Sequence, residues 1–216
     1  MSRKYMAFLL CVLSLLLAAC SPSGSRSSEP VAYQVTDVEG TVTAFPAPPK
    51  RIITLSMSTD EVMLGLVEPE RMAAVNGLLD DPVSSNVTAL VKAIPHRIGN
   101  PTVEEIMALQ PDLVVVPDWG DLSIVPSLRE AGVKVVVCKG AKNLTEIRET
   151  IALLAAAAGE EERGVRLQSM MDEKLAEIEA KVQQIPPEQR KSVVLISLMS
   201  AYGGIGSSFD EACSLA

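Results

Sequence analysis

Thr102-Val103-Glu104-Glu105-Ile106-Met107-Ala108-Leu109-Gln110-Pro111-Asp112-Leu113-Val114-Val115-Val116-Pro117-Asp118-Trp119-Gly120 is the stretch on which the fold turns. It reads as a short helix, a Pro-Asp corner, a buried strand and a loop carrying the only tryptophan. Ile106 and Leu109 sit three apart, which makes one helix face apolar. Glu104 and Glu105 lie in the first turn, where the helix dipole favours acids. Pro111 is expected to end the helix, because the residue before a proline is pushed out of the α region. The unbroken, mostly β-branched run at 113–116 suits a strand covered on both faces in an α/β sheet. Ligands in such sheets bind beyond the carboxyl ends of the strands. Asp118, Trp119 and Gly120 are therefore the expected ligand loop, and the acidic helix start is the expected contact with a partner. The plain alternative is an ordinary helix–strand unit with a capped helix and a packed indole.

The 216 residues are 48% hydrophobic and 21% charged, a globular composition sufficient for one or two domains. Aromatic residues make up only 3%, so the core must be aliphatic. Residues 1–19 contribute Arg3 and Lys4 and no acid, which leaves 17 bases against 27 acids, a net charge of −10, in the remainder. An acidic chain without a basic stripe argues against nucleic acid as partner and against adsorption on anionic lipid.

Residues 1–19 read as a signal peptide: a basic start, an apolar segment at 6–17 broken only by Ser14, then Leu17-Ala18-Ala19 before Cys20. That close resembles the bacterial lipobox, in which the cysteine thiol takes a diacylglycerol. Cys20 is the expected lipidation site. One acyl chain binds a membrane marginally, whereas two or three hold firmly. The expected location is the outer side of the cytoplasmic membrane, and residues 20–32 supply the lipidated cysteine and a flexible Ser/Gly/Pro-rich tether. Cys11 leaves with the signal. Cys138 closes a Val-rich strand as a buried thiol, and its pairing with Cys213 stays open. Cys and His show no metal-ligand spacing, and His96, the only histidine, reads as a turn residue. No metal, cofactor or catalytic group is expected.

Across the folded part, residues 33–45 read as a hairpin turning at Gly40, and residues 52–55 as a short buried strand. Ser58, Thr59 and Asp60 are expected to cap a helix over 61–66. Residues 72–75 form a strand, 82–93 a loop with a weak helix, and 95–101 an irregular connection. After the opening stretch come a helix over 123–131, a strand over 133–137, and a helix capped by Asn143 with Glu146 at its third position. Leu144, Ile147, Ile151, Leu154 and Ala158 share one face of it. The longest helical pattern covers 160–185, with Leu167, Met171, Leu175, Ile178, Val182 and Ile185 in one stripe. A strand over 192–198 and a loop over 200–209 close the chain. The order defines an α/β protein with a parallel sheet flanked by helices.

The ordered landmarks resemble the substrate-binding lipoproteins of bacterial ABC importers for iron-siderophores, haem and cobalamin. They are Asp37-Val38-Glu39-Gly40; Pro49-Lys50-Arg51-Ile52-Ile53; Glu61; Ile98-Gly99 followed by Thr102-Val103-Glu104-Glu105-Ile106; Leu109-Gln110-Pro111-Asp112-Leu113-Val114; Ala131-Gly132-Val133; and the long helix. The resemblance implies two α/β lobes bridged by one helix: an N-terminal lobe at 33–159, a spine helix at 160–185, and the truncated start of a C-terminal lobe at 186–216. It implies a cleft whose near wall is Ser56, Met57, Ser58 and Thr59, with Arg97, Asn100, Asp118, Trp119 and Gly120, and whose far wall begins at Tyr202 and Gly203. Trp119 would offer an aromatic face to a macrocycle or catecholate, and Arg97 a guanidinium to an anionic chelate. Glu104 would dock on an arginine of the permease dimer. The ligand would be an iron chelate, siderophore or haem, with a corrinoid as the alternative, and the protein a monomer.

Other classes fit less well. A serine hydrolase lacks the Gly-x-Ser-x-Gly elbow. Gly204-Ile205-Gly206 has Phe209 at the third glycine position of a dinucleotide fingerprint, and no helix is expected to follow. A metal-ion-binding lipoprotein would need more than one histidine. A lipid-anchored adhesin or structural lipoprotein remains the rival of a different class.

Overall fold

The computed structural model describes residues 31–196 and 204–215. The opening hairpin forms as read, with β1 (Tyr33–Thr36) antiparallel to β2 (Val42–Phe45) and Gly40 in the left-handed region at φ 80°. The main sheet holds β3 (Ile52–Thr54), β4 (Met72–Asn76), β5 (Arg97–Ile98), β6 (Leu113–Pro117) and β7 (Lys134–Cys138). All its pairings are parallel, and the spatial order is β5-β4-β3-β6-β7. The decisive run at 113–116 lies in β6, near the middle, with all five strand residues buried. Leu113 and Val115 pack into one core with Met63, Leu66 and Leu154. Val114 and Val116 pack into a second core with Ile106 and Leu128. Period-two alternation thus feeds two apolar layers, which is why the run shows no polar face.

Among the described residues the α-helices that cover the sheet or follow it are α1 (Met57–Leu66), α2 (Val103–Ala108), α3 (Val125–Glu130), α4 (Leu144–Ala158), α5 (Glu161–Val182) and α6 (Ser208–Leu215). In α2, Thr102 and Glu105 form a reciprocal capping box. The helix stops short of Pro111, and Gln110 takes φ +50°, among the described residues the only non-glycine in the left-handed region. Asn143 caps α4 as expected, accepting from Glu146 N at 2.8 Å, and Gly159 ends it at φ 69°.

The outer edge of β7 is closed by the hairpin. Val38 N donates to Val137 O, Thr43 Oγ1 donates to Val135 O, and Val137 N donates to Asp37 Oδ2. The buried Asp37 carboxylate also accepts from Glu39 N, Thr41 N and Arg129 Nη2. An unpaired strand edge invites pairing with other chains, and these bonds remove that invitation.

Four expectations change. The first helix begins at Met57 with Ser56 as cap, because Ser56 Oγ accepts from Thr59 N; Ser58, Thr59 and Asp60 lie inside it. The connection at 95–101 contains β5, whose two residues pair with β4. The helix over 123–131 is a 3-10 turn, Leu122–Ile124, capped by Asp121, followed by α3. Residues 191–196 carry no strand and are exposed; among the described residues no strand neighbours them, and an isolated strand is not stable. Residues 197–198, like 1–30, lie outside the described residues.

The spine helix α5 has 22 residues, about 33 Å at 1.5 Å per residue. Its start packs tightly. A Cβ on Gly164 would sit 2.5 Å from Ala155 Cβ of α4, and one on Gly65 of α1 would sit 3.1 Å from Leu167. Farther on the stripe is less covered, and Ile178 is 40% exposed. Leu175 and Ile178 there border a hollow of about 280 Å³ shared with α4 and α6.

Candidate ligand-binding site

The chain enters the main sheet at β3, moves outward through β4 and β5, then returns to lay β6 and β7 on the other side of β3. The order therefore reverses between β3 and β6, the point beyond whose carboxyl ends open α/β sheets bind ligands. The loop after β3 leads into α1 at Ser56, and the loop after β6 is Asp118-Trp119-Gly120. Two groups of residues distant in sequence, 56–59 and 118–120, thus stand on neighbouring strands. Arg97 opens β5 and Asn100 follows it, two strands away from β3. Tyr202, Gly203 and Cys20 lie outside the described residues.

Much of the polar content at these strand ends serves the scaffold. Ser56 Oγ accepts from Thr59 N at 3.2 Å and lies 2.7 Å from Thr59 Oγ1, which itself donates to Ser56 O. Ser56 and Thr59 are buried, whereas Ser58 is exposed and Met57 half-buried. Arg97 is fully engaged. Its Nε and Nη2 donate to the two Asp80 oxygens at 2.7 and 2.9 Å, Nη1 donates to Ile94 O and His96 O, and Nη2 also donates to Val91 O. All five guanidinium hydrogens have protein acceptors, so Arg97 clasps the Asp80 turn to β5. The Asp80 bond raises the Arg97 pKa further, and Arg97 holds the Asp80 carboxyl below its usual range. Asn100 is exposed.

Asp60, read from sequence only as a cap, is wholly buried in the first turn of α1. Its Oδ1 accepts from Thr54 Oγ1 at 2.5 Å and its Oδ2 from Asn76 N at 2.8 Å, so it ties the helix to the ends of β3 and β4. Burial pushes its pKa up to about 7, against the lowering effect of those two bonds. No sequence pattern announced this, since an aspartate in a first turn is ordinary.

The loop after β6 is different. Trp119 is 65% exposed. Asp118 N donates to Cys138 O at 2.8 Å, and Gly120 N donates to Pro117 O at 2.8 Å, which closes the turn tightly. Glu104 is exposed at the start of α2, while its neighbour Glu105 folds back onto Thr102 N at 2.8 Å. Cys138 is buried and Cys213 exposed, and both thiols are free. Burial, with the Asp118 charge beside it, pushes the Cys138 thiol up to about 12, which makes it inert. The Gly204-Ile205-Gly206 turn is followed by α6 after all, with Phe209 where a dinucleotide fingerprint has its third glycine, and residues 197–203 before it lie outside the described residues.

The parallel sheet reverses its order between β3 and β6, and an exposed indole stands beyond the end of β6, where open α/β sheets hold ligands. The chain belongs to the periplasmic binding protein family, which matches residues 52–214. It is 24% identical over 196 residues to the "Uncharacterized ABC transporter substrate-binding lipoprotein YvrC" of Bacillus subtilis, covering 86% of this chain and 61% of that one. It is 24% identical over 163 residues to a cobalamin-binding protein of Halobacterium salinarum, covering 69% and 43%. Among solved structures, a possible iron-binding (periplasmic solute-binding) protein of Staphylococcus epidermidis superposes with a TM-score of 0.63 at 21% identity, covering 78% of this chain and 66% of that one. The family and these relatives are substrate-binding proteins rather than enzymes. The chain spans about three-fifths of the Bacillus relative and less than half of the archaeal one.

Proposed function

We propose that this chain belongs to an extracytoplasmic lipoprotein, tethered through Cys20, that captures an iron chelate and hands it to the permease dimer of an ABC importer. The observation that carries the reading is the exposed indole of Trp119 at the switch point, beside the exposed Ser58 and half-buried Met57. Residues 33–159 form the near lobe, 160–185 the bridging helix, and 186–216 the beginning of a second lobe that presents Tyr202 and Gly203. Asn100 and Gly120 complete the near rim. Glu104 meets an arginine of the permease, and the protein acts as a monomer.

One observation favours a second reading of the ligand. With Arg97 committed to Asp80, this rim offers an aromatic face, a thioether and hydroxyls rather than a free guanidinium. That suits haem, a corrinoid or an uncharged hydroxamate better than a polyanionic catecholate.

Fluorescence titration of this chain's single tryptophan, Trp119, tests the site. Haemin, cyanocobalamin or a ferric siderophore is expected to quench it, and Trp119→Leu, which has no tryptophan and is followed by calorimetry, to bind more weakly. Absence of quenching with all three classes would refute the cleft. Glu104→Arg is expected to abolish uptake while leaving affinity unchanged; undiminished uptake would remove the docking role.

A further inference from the structure

We propose that Gly140 and Asp118 are positioning residues that hold the indole of Trp119 as a preformed platform for a flat, apolar-faced ligand. The proposal rests on the ligand reading of the Trp119 loop.

The last register pair of β6 and β7 is Pro117 with Cys138. Asp118 N extends the ladder by one bond to Cys138 O. Beyond it the backbone has no ladder partner, and Asp118 Oδ1 takes over by accepting from Gly140 N at 2.9 Å. That bond fixes the chain after β7 directly beside Trp119. A Cβ built on Gly140 would lie 1.9 Å from Trp119 Cδ1 and 2.4 Å from Nε1, so only hydrogen fits. Gly140 is not among the positive-φ glycines, so its backbone conformation does not demand glycine. The requirement comes from the indole. The Trp119 side chain therefore lies against the Gly140 backbone, yet the residue remains 65% exposed. A core tryptophan would be buried, and a freely rotating surface tryptophan would not need the glycine.

The arrangement has a function in recognition. A side chain ordered before binding does not lose its rotamer freedom on binding, an effect of roughly 2- to 10-fold in affinity for one large side chain. It also assigns Asp118. Its Oδ1 acts through Gly140, so the acceptor atom matters and the charge does not.

The experiment uses the full chain and its single tryptophan as the probe. Nanosecond anisotropy and acrylamide quenching of the free protein come first. The indole is expected to be restricted in the wild type and freed in Gly140→Ala and Asp118→Ala. Asp118→Asn keeps an acceptor oxygen and is expected to match the wild type. The same proteins are then titrated with haemin, cyanocobalamin and a ferric trihydroxamate. The probe that binds the wild type is expected to bind Gly140→Ala and Asp118→Ala about 2- to 10-fold more weakly and Asp118→Asn about equally. An indole in Gly140→Ala as restricted as in the wild type, with unchanged affinity, overturns the platform. So does an Asp118→Asn variant with normal anisotropy but lost affinity, because Asp118 would then touch the ligand through its charge. Wild-type affinity in Trp119→Leu overturns the ligand reading instead, while the anisotropy still reports on the platform.

Discussion

Replacing Asp60 by asparagine should stabilise this protein above neutral pH and do little below pH 5. The carboxyl is wholly buried, and desolvation raises its pKa from 3.8 to about 7, with nearby Glu61 adding to the rise and Thr54, Asn76 and Arg97 opposing it. The folded state therefore holds a proton that the unfolded state has released. Stability falls as pH climbs from about 4, and the penalty is complete once pH passes the folded value near 7. Three pKa units at about 1.4 kcal/mol each give about 4 kcal/mol as an upper value. Asparagine has the shape of the protonated acid. Its carbonyl can accept from Asn76 N, and its amide can donate to Thr54 Oγ1, which reverses the sense of one hydrogen bond. Urea unfolding from pH 5 to 9, followed by circular dichroism, reads the effect as a midpoint that falls with pH in the wild type and stays flatter in the variant. An Asp60→Asn protein less stable than the wild type at pH 8 to 9 would refute the reasoning. The two hydrogen bonds would then be holding an anion that the fold needs.

Two further outcomes follow from scaffold residues. Asp37→Ala should cost about 3 kcal/mol in urea unfolding, because it leaves Arg129 and several backbone N–H groups without their buried acceptor; a loss below about 1 kcal/mol would mean that the hairpin is held by its apolar contacts alone. Gln110→Val should cost about 1–2 kcal/mol and Gln110→Gly nothing or less, since the position is exposed and left-handed. Equal melting temperatures for the two variants would show that the strain at Gln110 is absent in solution.

The parts of the fold that were legible are those in which a chemical pattern runs along the chain. β3, β4, β6 and β7 are short apolar runs bounded by turn formers, and their burial on both faces leaves no polar alternation to confuse them. Asn143 and Gly159 mark the ends of α4 by the chemistry of helix termini. β5 was not legible, because two residues carry no period and their strand character comes only from pairing with Val75 and Asn76. Residues 191–196 depart in the opposite way: Val193, Val194, Leu195 and Ile196 have every preference for a strand, but among the described residues no strand neighbours them and they are exposed. The Gly140 contact was invisible for a third reason. It joins residues 21 apart in the sequence through a ladder register that no local pattern encodes.

The same physics sorts the candidate site. Where a parallel sheet ends, the last N–H and C=O groups lose their ladder partners, and the first turn of each following helix presents unpaired N–H groups. Short polar side chains placed there are drawn into satisfying them. Ser56 and Thr59 close the start of α1, Asp60 answers Asn76 N, Asp118 answers Gly140 N, and Arg97 answers three carbonyls as well as Asp80. A sequence reading counts all of these as available for a ligand because it sees residue types and not vacancies. Subtracting the groups already engaged leaves Met57, Ser58, Asn100 and Trp119 on the outside, beside the exposed carboxylate of Asp118, whose Oδ1 accepts from Gly140 N. Which groups at these strand ends stay open to a ligand is thus decided by the scaffold's own demand for hydrogen bonds.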